Sequence, residues 1–235
     1  MTLYKAKQFS VDSNGAYLTR LVDVEGRPIL FERTEIDGKR RGGSHVCFPY
    51  FGADAAGILP QHGFGRDVEW KVTVGADGTE IACSYMKRDE EGLFEGLSAN
   101  ILYKLHPKDN EFFVGLTVSN PFPHTGPQPV SPGFHPYFAV DPTDLRLGGE
   151  KINIADFEPY REYPNTNSMT IASGGRIVTV SSSDLQHMVV WSDAKGEYLC
   201  VEPTLSGHSF DSTKLGSSVL EATTHVQYGF TIKWS

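Results

Sequence analysis

The sequence has 235 residues, of which 39% are hydrophobic and 21% are charged, a composition typical of globular proteins and not of disordered or collagen-like chains. Aspartate and glutamate outnumber lysine and arginine by 29 to 21, so the mean field of the protein repels phosphate backbones and disfavours nucleic acid as a partner. Three widely spaced cysteines without a C-x-x-C pair predict neither a disulfide framework nor a zinc site and are typical of a reducing compartment.

The amino-terminal segment shows no signal for export. Residues 1–18 have no apolar segment behind a basic start, as a signal peptide would have. No stretch of the chain approaches the ~18 to 20 apolar residues that a membrane span needs. We therefore predict a cytoplasmic protein without a membrane partner.

From residue 16 onward, short β-rich segments alternate with turn residues, and no segment has a sustained helical period. The segment nearest to a helix, residues 89–101, contains two glycines, which destabilise helices. The first two predicted strands form a hairpin through Glu25 and Gly26, and the next four form a meander. The predicted strands are residues 16–24, 27–33, 69–75, 79–88, 100–107, 111–120, 128–140, 175–182, 187–193, 197–203 and 225–234.

These segments predict an all-β fold, an antiparallel β-sandwich, in a single domain that covers residues 1–235. The 24 glycines and 14 prolines supply the frequent turns of a sandwich or barrel and disfavour a parallel α/β sheet. The proline-rich residues 120–129 are few and lie between strands, so we expect a loop within the domain there.

The eight histidines fall into three groups by context, because histidine is both the commonest proton-transfer residue and a frequent structural one. His62 in "PQHGF" and His135 in "PGFHPYF" lie in aromatic segments rich in glycine and proline, where loops on a rigid scaffold often bind ligands. The context of His45 leaves its role open. The remaining five are predicted to be structural or exposed: His106, His124, His187, His208 and His225.

One carboxylate in the last third of the chain is a candidate for proton transfer. Glu202 ends the apolar strand "YLCVEP", one residue before a proline. If its side chain points inward, the partly apolar surroundings raise its pKa toward that of a useful base. For an isolated glutamate at a strand end, a surface salt bridge is the alternative.

Four motifs follow one another along the chain: "RGGSHVCFPYFG" (41–52), "LPQHGFGRDVEW" (59–70), "HPYF" (135–138) and "CVEP" (200–203). In this order they resemble the signature of the aldose 1-epimerase family, in particular its hexose-6-phosphate mutarotase branch. The first two motifs are the specific ones, because so many matching positions within residues 41–70 rarely coincide.

The resemblance implies a galactose mutarotase-like β-supersandwich that interconverts the α and β anomers of a sugar without a metal or cofactor. Ring opening removes a proton from the anomeric hydroxyl and adds one to the ring oxygen, so a base and an acid must flank the same carbon. By resemblance, Glu202 is the base, His135 is the acid, and His62 helps to hold the ring oxygen.

Two arginines bear on the substrate class. The resemblance associates Arg41 and Arg66 with the phosphate of a hexose 6-phosphate, and the planar guanidinium group suits phosphate oxygens. The alternatives are a solvated loop charge for Arg41 and an ion pair with Asp67 or Glu69 for Arg66. Further predicted contacts of the substrate are Gln61, Phe48 and Tyr137.

The interval between "HPYF" and "CVEP" is shorter than in typical members of the family. It has no clear counterpart of the family's aspartate motif, which holds sugar hydroxyls. Neither Asp184 nor Asp193 is therefore assigned that contact.

Other functions stay open beside the phosphate-specific mutarotase. One is an aldose 1-epimerase that acts on an unphosphorylated sugar, and another is a non-catalytic carbohydrate-binding protein on the same fold. A metal-dependent cupin-like isomerase would need an H-x-H ligand pair, which the sequence lacks. The predicted partner is a small sugar or sugar phosphate, and the sequence does not predict the oligomeric state. The aromatic residues available to a binding protein are Phe48, Tyr50, Phe64, Tyr137 and Trp191.

Overall fold

The structure of the protein, a computed structural model, describes residues 2–87, 93–213 and 219–235. Two antiparallel sheets, of eight and nine strands, dominate these residues, and two further sheets have two strands each. No helix in the described ranges is long and apolar enough to cross a membrane. The prediction of an all-β sandwich is confirmed.

Twenty-one strands and four short 3₁₀ helices make up the regular structure of the described residues. The 3₁₀ helices are Gly65–Asp67, Pro107–Asp109, Pro123–Thr125 and Ile154–Phe157. The strands are β1 (Leu3–Lys5), β2 (Phe9–Asp12), β3 (Tyr17–Leu21), β4 (Thr34–Ile36), β5 (Lys39–Arg41), β6 (Ser44–Cys47), β7 (Lys71–Val74), β8 (Glu80–Met86), β9 (Ser98–His106), β10 (Glu111–Asn120), β11 (Gln128–Pro129), β12 (Gly133–Ala139), β13 (Leu145–Leu147), β14 (Glu150–Lys151), β15 (Arg161–Pro164), β16 (Ser168–Ser173), β17 (Arg176–Ser181), β18 (His187–Trp191), β19 (Tyr198–Thr204), β20 (Val219–Leu220) and β21 (Thr224–Trp234).

Strands from distant parts of the chain are neighbours in both large sheets. The eight-stranded sheet has the order β1-β2-β3-β6-β12-β19-β18-β15, and the nine-stranded sheet has the order β14-β13-β16-β17-β21-β10-β9-β8-β7. The predicted meander is confirmed, because β7, β8, β9 and β10 are successive antiparallel neighbours. The chain therefore returns repeatedly to the same two sheets.

The hydrophobic core lies between the two large sheets. On β10, the buried residues Phe112, Val114 and Leu116 alternate with half-buried ones, which is the two-residue period of a strand with one face in the core. Phe134 of β12 packs against Phe230 of β21 with ring centroids 4.9 Å apart. Burying an aromatic side chain in this way contributes about 1.5 to 3 kcal/mol relative to leaving it exposed.

Three strands of the eight-stranded sheet are buried along almost their whole length, namely β6, β12 and β19. One face of these strands packs into the core. Alternate side chains point to the opposite face of the sheet. The remaining buried side chains of these strands therefore lie on the side away from the core, where the pocket described below is.

The predicted hairpin of residues 16–24 with residues 27–33 is confirmed only next to its turn, where the amide of Asp23 donates to the carbonyl of Arg27 and that of Ile29 to the carbonyl of Leu21. Residues 27–33 form isolated bridges with Val22 and Phe138, while β3 pairs with β2 and β6. Pro28 lacks the amide proton that a continuous ladder needs. The segment therefore passes from β3 to β12, where Phe31 donates to the carbonyl of Tyr137 and Ala139 donates to that of Ile29, without forming a regular strand.

Two other segments differ from their predictions. The predicted strand 128–140 is divided into β11 and β12, with Pro132 in the interruption. Of residues 89–101, the part within the described ranges forms turns and the start of β9, and residues 88–92 lie outside those ranges. The strands that the sequence did not predict have two to four residues, except β16, and are too short to show an alternating pattern.

Candidate functional site

Four side chains from four neighbouring strands form a row on the face of the eight-stranded sheet that is turned away from the core. The pairing of β12 with β6 sets His135 opposite His45, and the register of β12 with β19 sets it opposite Glu202. On the other side of β6, the ring of Tyr17 stacks on His45 with centroids 5.5 Å apart. Neighbouring strands lie about 4.8 Å apart, so these four residues, the pocket row, are evenly spaced.

The pocket row lines a pocket with a volume of about 810 Å³, a size typical of small-molecule sites. A second cavity, of about 490 Å³, lies on the nine-stranded sheet and has no histidine in its lining. Of these two cavities, the first is therefore the one that contains histidines. Besides the pocket row, its polar and aromatic lining includes Lys39, Arg40, Arg41, Gln61, His62, Arg66, Tyr137, Tyr160, Trp191 and His208.

His135 and Glu202 form a buried pair at the centre of the pocket row. His135 Nε2 lies 3.6 Å from Glu202 Oε2, and the side chains are 9% and 2% exposed. Burial lowers the pKa of His135 to about 3 and raises the pKa of Glu202 well above its usual value, because a low dielectric disfavours both charged forms. The uncharged pair thus consists of a carboxylic acid beside a neutral imidazole, and together they can release one proton and accept another.

His62 lies beside this pair with a defined tautomer. The amide N–H of Gly52 donates to His62 Nδ1 at 3.1 Å, and burial lowers the pKa of His62 well below its usual value. A neutral imidazole whose Nδ1 accepts a hydrogen bond carries its proton on Nε2. The ring stands edge-on to His135 with centroids 5.5 Å apart, so His62 is a hydrogen-bond donor next to the acid and base pair.

The loop that holds His62 folds tightly onto the backbone of Phe48. The amides of Phe64 and Gly65 both donate to the carbonyl of Phe48 at 2.9 Å. His62 itself has a positive φ of 65°, a conformation that is uncommon for a residue with a side chain. Gly63 follows with a φ of 67°, and a Cβ atom there would lie 2.2 Å from the carbonyl oxygen of Phe48, so only glycine fits that position.

The predicted substrate contact of Phe48 is wrong. Phe48 is fully buried in the main core cluster, where its ring packs against Phe64 and Trp70. Because side chains alternate along an extended chain, His45 points to the pocket and Phe48, three residues later, points to the core. Tyr50 and Phe64 also pack in the core cluster, which leaves Tyr137 and Trp191 as the predicted aromatic residues in the pocket lining.

The two predicted arginines line the pocket but have different partners. Arg41 donates from Nε and Nη2 to Oδ2 of Asp193, at 2.9 and 2.8 Å. Arg66 donates from Nη2 to the carbonyl of Gln61 at 2.9 Å, and its Nε lies 3.7 Å from Asp67 Oδ2. The carboxylate of Asp193 neutralises Arg41, whereas Arg66 has a longer ion pair and is one-third exposed, which leaves more of its charge available to an anion.

Sequence reasoning missed two histidines of the pocket. His45 was left open, although it stacks on His135 with ring centroids 4.9 Å apart. His208 was predicted to be structural or exposed, but it lines the pocket, where Glu162 accepts from its Nδ1 at 3.1 Å. An alternating pattern in β6 would have placed His45 on the pocket face, whereas no local signal marks His208, which follows β19 in a loop.

Among the described residues, one group of potential metal ligands includes members of the pocket row. Ligand atoms of His135, Cys200 and Glu202 lie within 4.8 Å of one another. Burial raises the pKa of the Cys200 thiol well above its usual value, and a protonated thiol is a poor ligand because the thiolate binds metals. The donor set therefore does not favour a structural zinc site.

The pocket histidines predict a loss of stability in acid. The pKa values of His45, His62, His135 and His208 are all lowered by burial, so as the pH falls below about 6.5 these four histidines bind more protons in the unfolded chain than in the folded one. Each group then lowers the free energy of unfolding by up to about 1.4 kcal/mol per pH unit as the pH falls. Urea denaturation at pH 7, 6 and 5 measures this slope.

Replacing one of these histidines measures its contribution to the slope of the free energy of unfolding against pH. The raised pKa of Glu202 acts in the opposite direction, because its stabilising effect is lost as the pH rises above about 4.5. We expect His45→Phe to reduce the slope by up to about 1.4 kcal/mol per pH unit and the exposed His225→Phe to leave it unchanged. Equal slopes for wild type and His45→Phe would contradict a neutral, buried His45.

Comparison with known proteins identifies the family. The pattern of the family described as Aldose 1-epimerase matches residues 38–185, more than half of the chain. A Salmonella typhimurium protein with the provisional name glucose-6-phosphate 1-epimerase is 30% identical over 129 residues, which are 49% of this chain and 40% of that protein. The match thus spans less than half the length of this curated relative.

Solved structures share the fold at low sequence identity. The galactose mutarotase related enzyme from Lactobacillus acidophilus has a TM-score of 0.82 at 16% identity and covers 100% of this chain and 97% of its own. A galactose mutarotase-like protein from Lactobacillus casei has a TM-score of 0.80 at 20% identity, with 100% of both chains covered. The fold agrees over the whole chain and the sequence pattern over more than half of it, so the protein belongs to the aldose 1-epimerase family, a family of isomerases.

Proposed function

We propose that the protein is a mutarotase that interconverts the α and β anomers of an aldohexose and prefers the 6-phosphate. The observation that carries the proposal is the buried pair of His135 and Glu202, 3.6 Å apart in the pocket. Both groups are disfavoured in their charged forms, so a Glu202 carboxylate is a stronger base, and a His135 imidazolium a stronger acid, than the same groups in water. Such a pair suits a reaction that needs one proton removed and one added.

The pair can take up one proton and supply the other that the reaction moves. Transfer of the proton from Glu202 to His135 gives a carboxylate and an imidazolium. The carboxylate takes the proton of the anomeric hydroxyl while the imidazolium protonates the ring oxygen, so the bond from C1 to the ring oxygen breaks and a carbonyl forms at C1. His62 Nε2–H donates to the ring oxygen. Rotation about the C1–C2 bond and the reverse steps give the other anomer.

Basic side chains at the pocket support a phosphorylated substrate. Arg66, Lys39 and Arg40 line it together with Arg41, in a protein with a formal net charge of −8. A local cluster of cations against that mean field favours an anionic ligand. The provisional name of the Salmonella relative also refers to a hexose 6-phosphate.

An unphosphorylated aldose is the second candidate substrate. The ion pair between Arg41 and Asp193 favours it, because a neutralised guanidinium group attracts a phosphate less strongly. In that case the same acid and base pair acts on a neutral sugar.

The function is tested by measuring how fast the two anomers interconvert. Wild-type protein is expected to accelerate the interconversion of α-glucose 6-phosphate, measured by NMR saturation transfer between the anomeric protons. The kcat/KM for glucose 6-phosphate should exceed that for glucose by about tenfold, since a hydrogen bond to a charged group contributes about 1.5 kcal/mol or more. No acceleration over buffer with glucose 6-phosphate, glucose or galactose would refute the proposal.

Arg66→Met identifies the source of the preference. We expect this variant to lose most of the tenfold advantage of the phosphate through a higher KM, with kcat for glucose unchanged. Arg146→Met, on β13 of the other sheet, is the matched control and should keep the advantage. If both variants keep it, Arg66 does not bind the phosphate.

A further inference from the structure

We propose that His45 contacts the substrate directly and binds the oxygen on carbon 6 of the sugar, whether a free hydroxyl or a phosphate ester. This inference rests on the proposed function and deepens it.

The ring nitrogens of His45 have no partner in the described part of the chain. His45 is 4% exposed, and neither Nδ1 nor Nε2 has a hydrogen bond. Buried polar atoms in proteins nearly always have a partner, and an exception calls for an unseen water or ligand. Since His45 lines the pocket, a ligand in the pocket can supply that partner.

Three aromatic rings surround the His45 ring, with His62 perpendicular to it at a centroid distance of 6.0 Å, so a ligand can reach only a part of its edge. Tyr17 covers one face with centroids 5.5 Å apart, and His135 covers the other at 4.9 Å. Stacked neighbours fix the ring orientation, so the unpartnered nitrogens are held in place before a ligand arrives. A preorganised group of this kind binds at a lower entropic cost than a mobile one.

The charge state of His45 indicates which kind of ligand atom it binds. Burial and the neighbouring His135 and His62 lower its pKa well below the usual value, so the ring is neutral and offers one N–H donor and one lone pair. A hydroxyl group can accept from the N–H of one ring nitrogen or donate to the lone pair of the other, so it suits whichever nitrogen faces it. An ester oxygen matches the donor alone.

The order of the pocket row points to carbon 6. Along the row, Glu202 comes first, His135 follows on the next strand, and His45 lies one strand further. With Glu202 at the anomeric hydroxyl and His135 at the ring oxygen, the continuation past the ring oxygen is carbon 5 and its substituent, carbon 6.

Arg66 lies near the same end of the row. A Cβ atom added at Gly15, two residues before Tyr17 at that end of the row, would lie 2.4 Å from the carbonyl oxygen of Arg66, and Arg66 lines the pocket with the row. A phosphate on carbon 6 would therefore extend from His45 toward Arg66. His45 and Arg66 would then bind neighbouring parts of the same substituent.

The test compares sugars that lack single hydroxyl groups. His45→Phe keeps an aromatic ring for the stack on Tyr17 and His135 but removes both nitrogens. In wild type, 6-deoxyglucose is expected to have a kcat/KM about tenfold below that of glucose, and in His45→Phe this difference should disappear. The effect of removing the hydroxyl on carbon 2, measured with 2-deoxyglucose, should be the same in both proteins, as it should in the exposed control His225→Phe.

Each outcome decides between the possibilities. If His45→Phe retains the difference for 6-deoxyglucose, or loses that for 2-deoxyglucose instead, the proposal for His45 is wrong while the mutarotase function stands. If wild type accelerates no sugar, the proposed function fails and the role of His45 fails with it.

A second measurement does not depend on the variant's folding. In wild type with ¹⁵N-labelled histidine, the ring nitrogens of His45 are expected to shift on addition of methyl α-glucopyranoside, which binds without ring opening. Methyl 6-deoxy-α-glucopyranoside should not shift them. Equal shifts with both glycosides would overturn the contact with carbon 6.

Discussion

Glu202→Gln is expected to lower kcat for anomer interconversion by about 10² to 10⁴, the range for loss of one acid or base group, and to change KM by less than about threefold. Glutamine keeps the size and the hydrogen-bonding atoms of the side chain but neither accepts nor releases a proton at neutral pH. The loss therefore falls on the chemical step, which single-turnover measurement with α-glucose 6-phosphate reports.

The stability of this variant provides the internal control. Because burial raises the pKa of Glu202 well above its usual value, the folded protein carries an uncharged carboxyl group, and glutamine replaces one neutral group by another. Thermal unfolding should show little change, and the exposed Glu221→Gln should alter neither unfolding nor kcat. A Glu202→Gln variant with kcat within twofold of wild type would exclude Glu202 from the reaction.

Gly63→Ala is expected to reduce the free energy of unfolding by about 3 kcal/mol or more, a large effect for one methyl group. The added Cβ would lie 2.2 Å from the carbonyl oxygen of Phe48 and 2.9 Å from Cδ of Pro49, so the loop must leave the backbone that it packs against. Urea denaturation measures the loss. Any folded fraction should also have a lower kcat, because His62 directly precedes the displaced residue.

Gly57→Ala is the matched control for this effect. Gly57 has a similar positive φ of 68°, but nothing lies within 4 Å of an added Cβ there. It therefore carries the left-handed backbone strain of about 1 to 2 kcal/mol without the clash. If the two variants are equally destabilised, backbone strain alone accounts for Gly63, and the contact with Phe48 adds nothing.

The sequence predicts the class of fold because its evidence is repeated along the chain. Long alternating segments such as residues 100–107 and 111–120 correspond to β9 and β10, where one face is in the core and the other is half-buried. Which strands lie side by side could not be predicted, because pairings such as β12 with β6 depend on packing between distant segments. The single-domain prediction stays a prediction.

For the site, the three residues to which the resemblance assigns a catalytic role were found, whereas two other residues within the same motifs were left open or misplaced. His62, His135 and Glu202 converge in one pocket, and their catalytic roles remain proposals. Phe48 was assigned wrongly because a motif does not say which face of the chain a residue occupies. His45 was left undecided for the same reason, since its burial and its unpartnered nitrogens are properties of the assembled sheet.

The pocket row has a consequence for redesign. Its members come from positions 17, 45, 135 and 202, so transplanting the loop 59–70 into a relative would carry His62 and Arg66 but no member of the row. A change of substrate range calls instead for libraries that vary one position on each strand. Since adjacent members such as His45 and His135 are in contact, their effects will not add, and productive libraries must vary neighbouring strands in pairs.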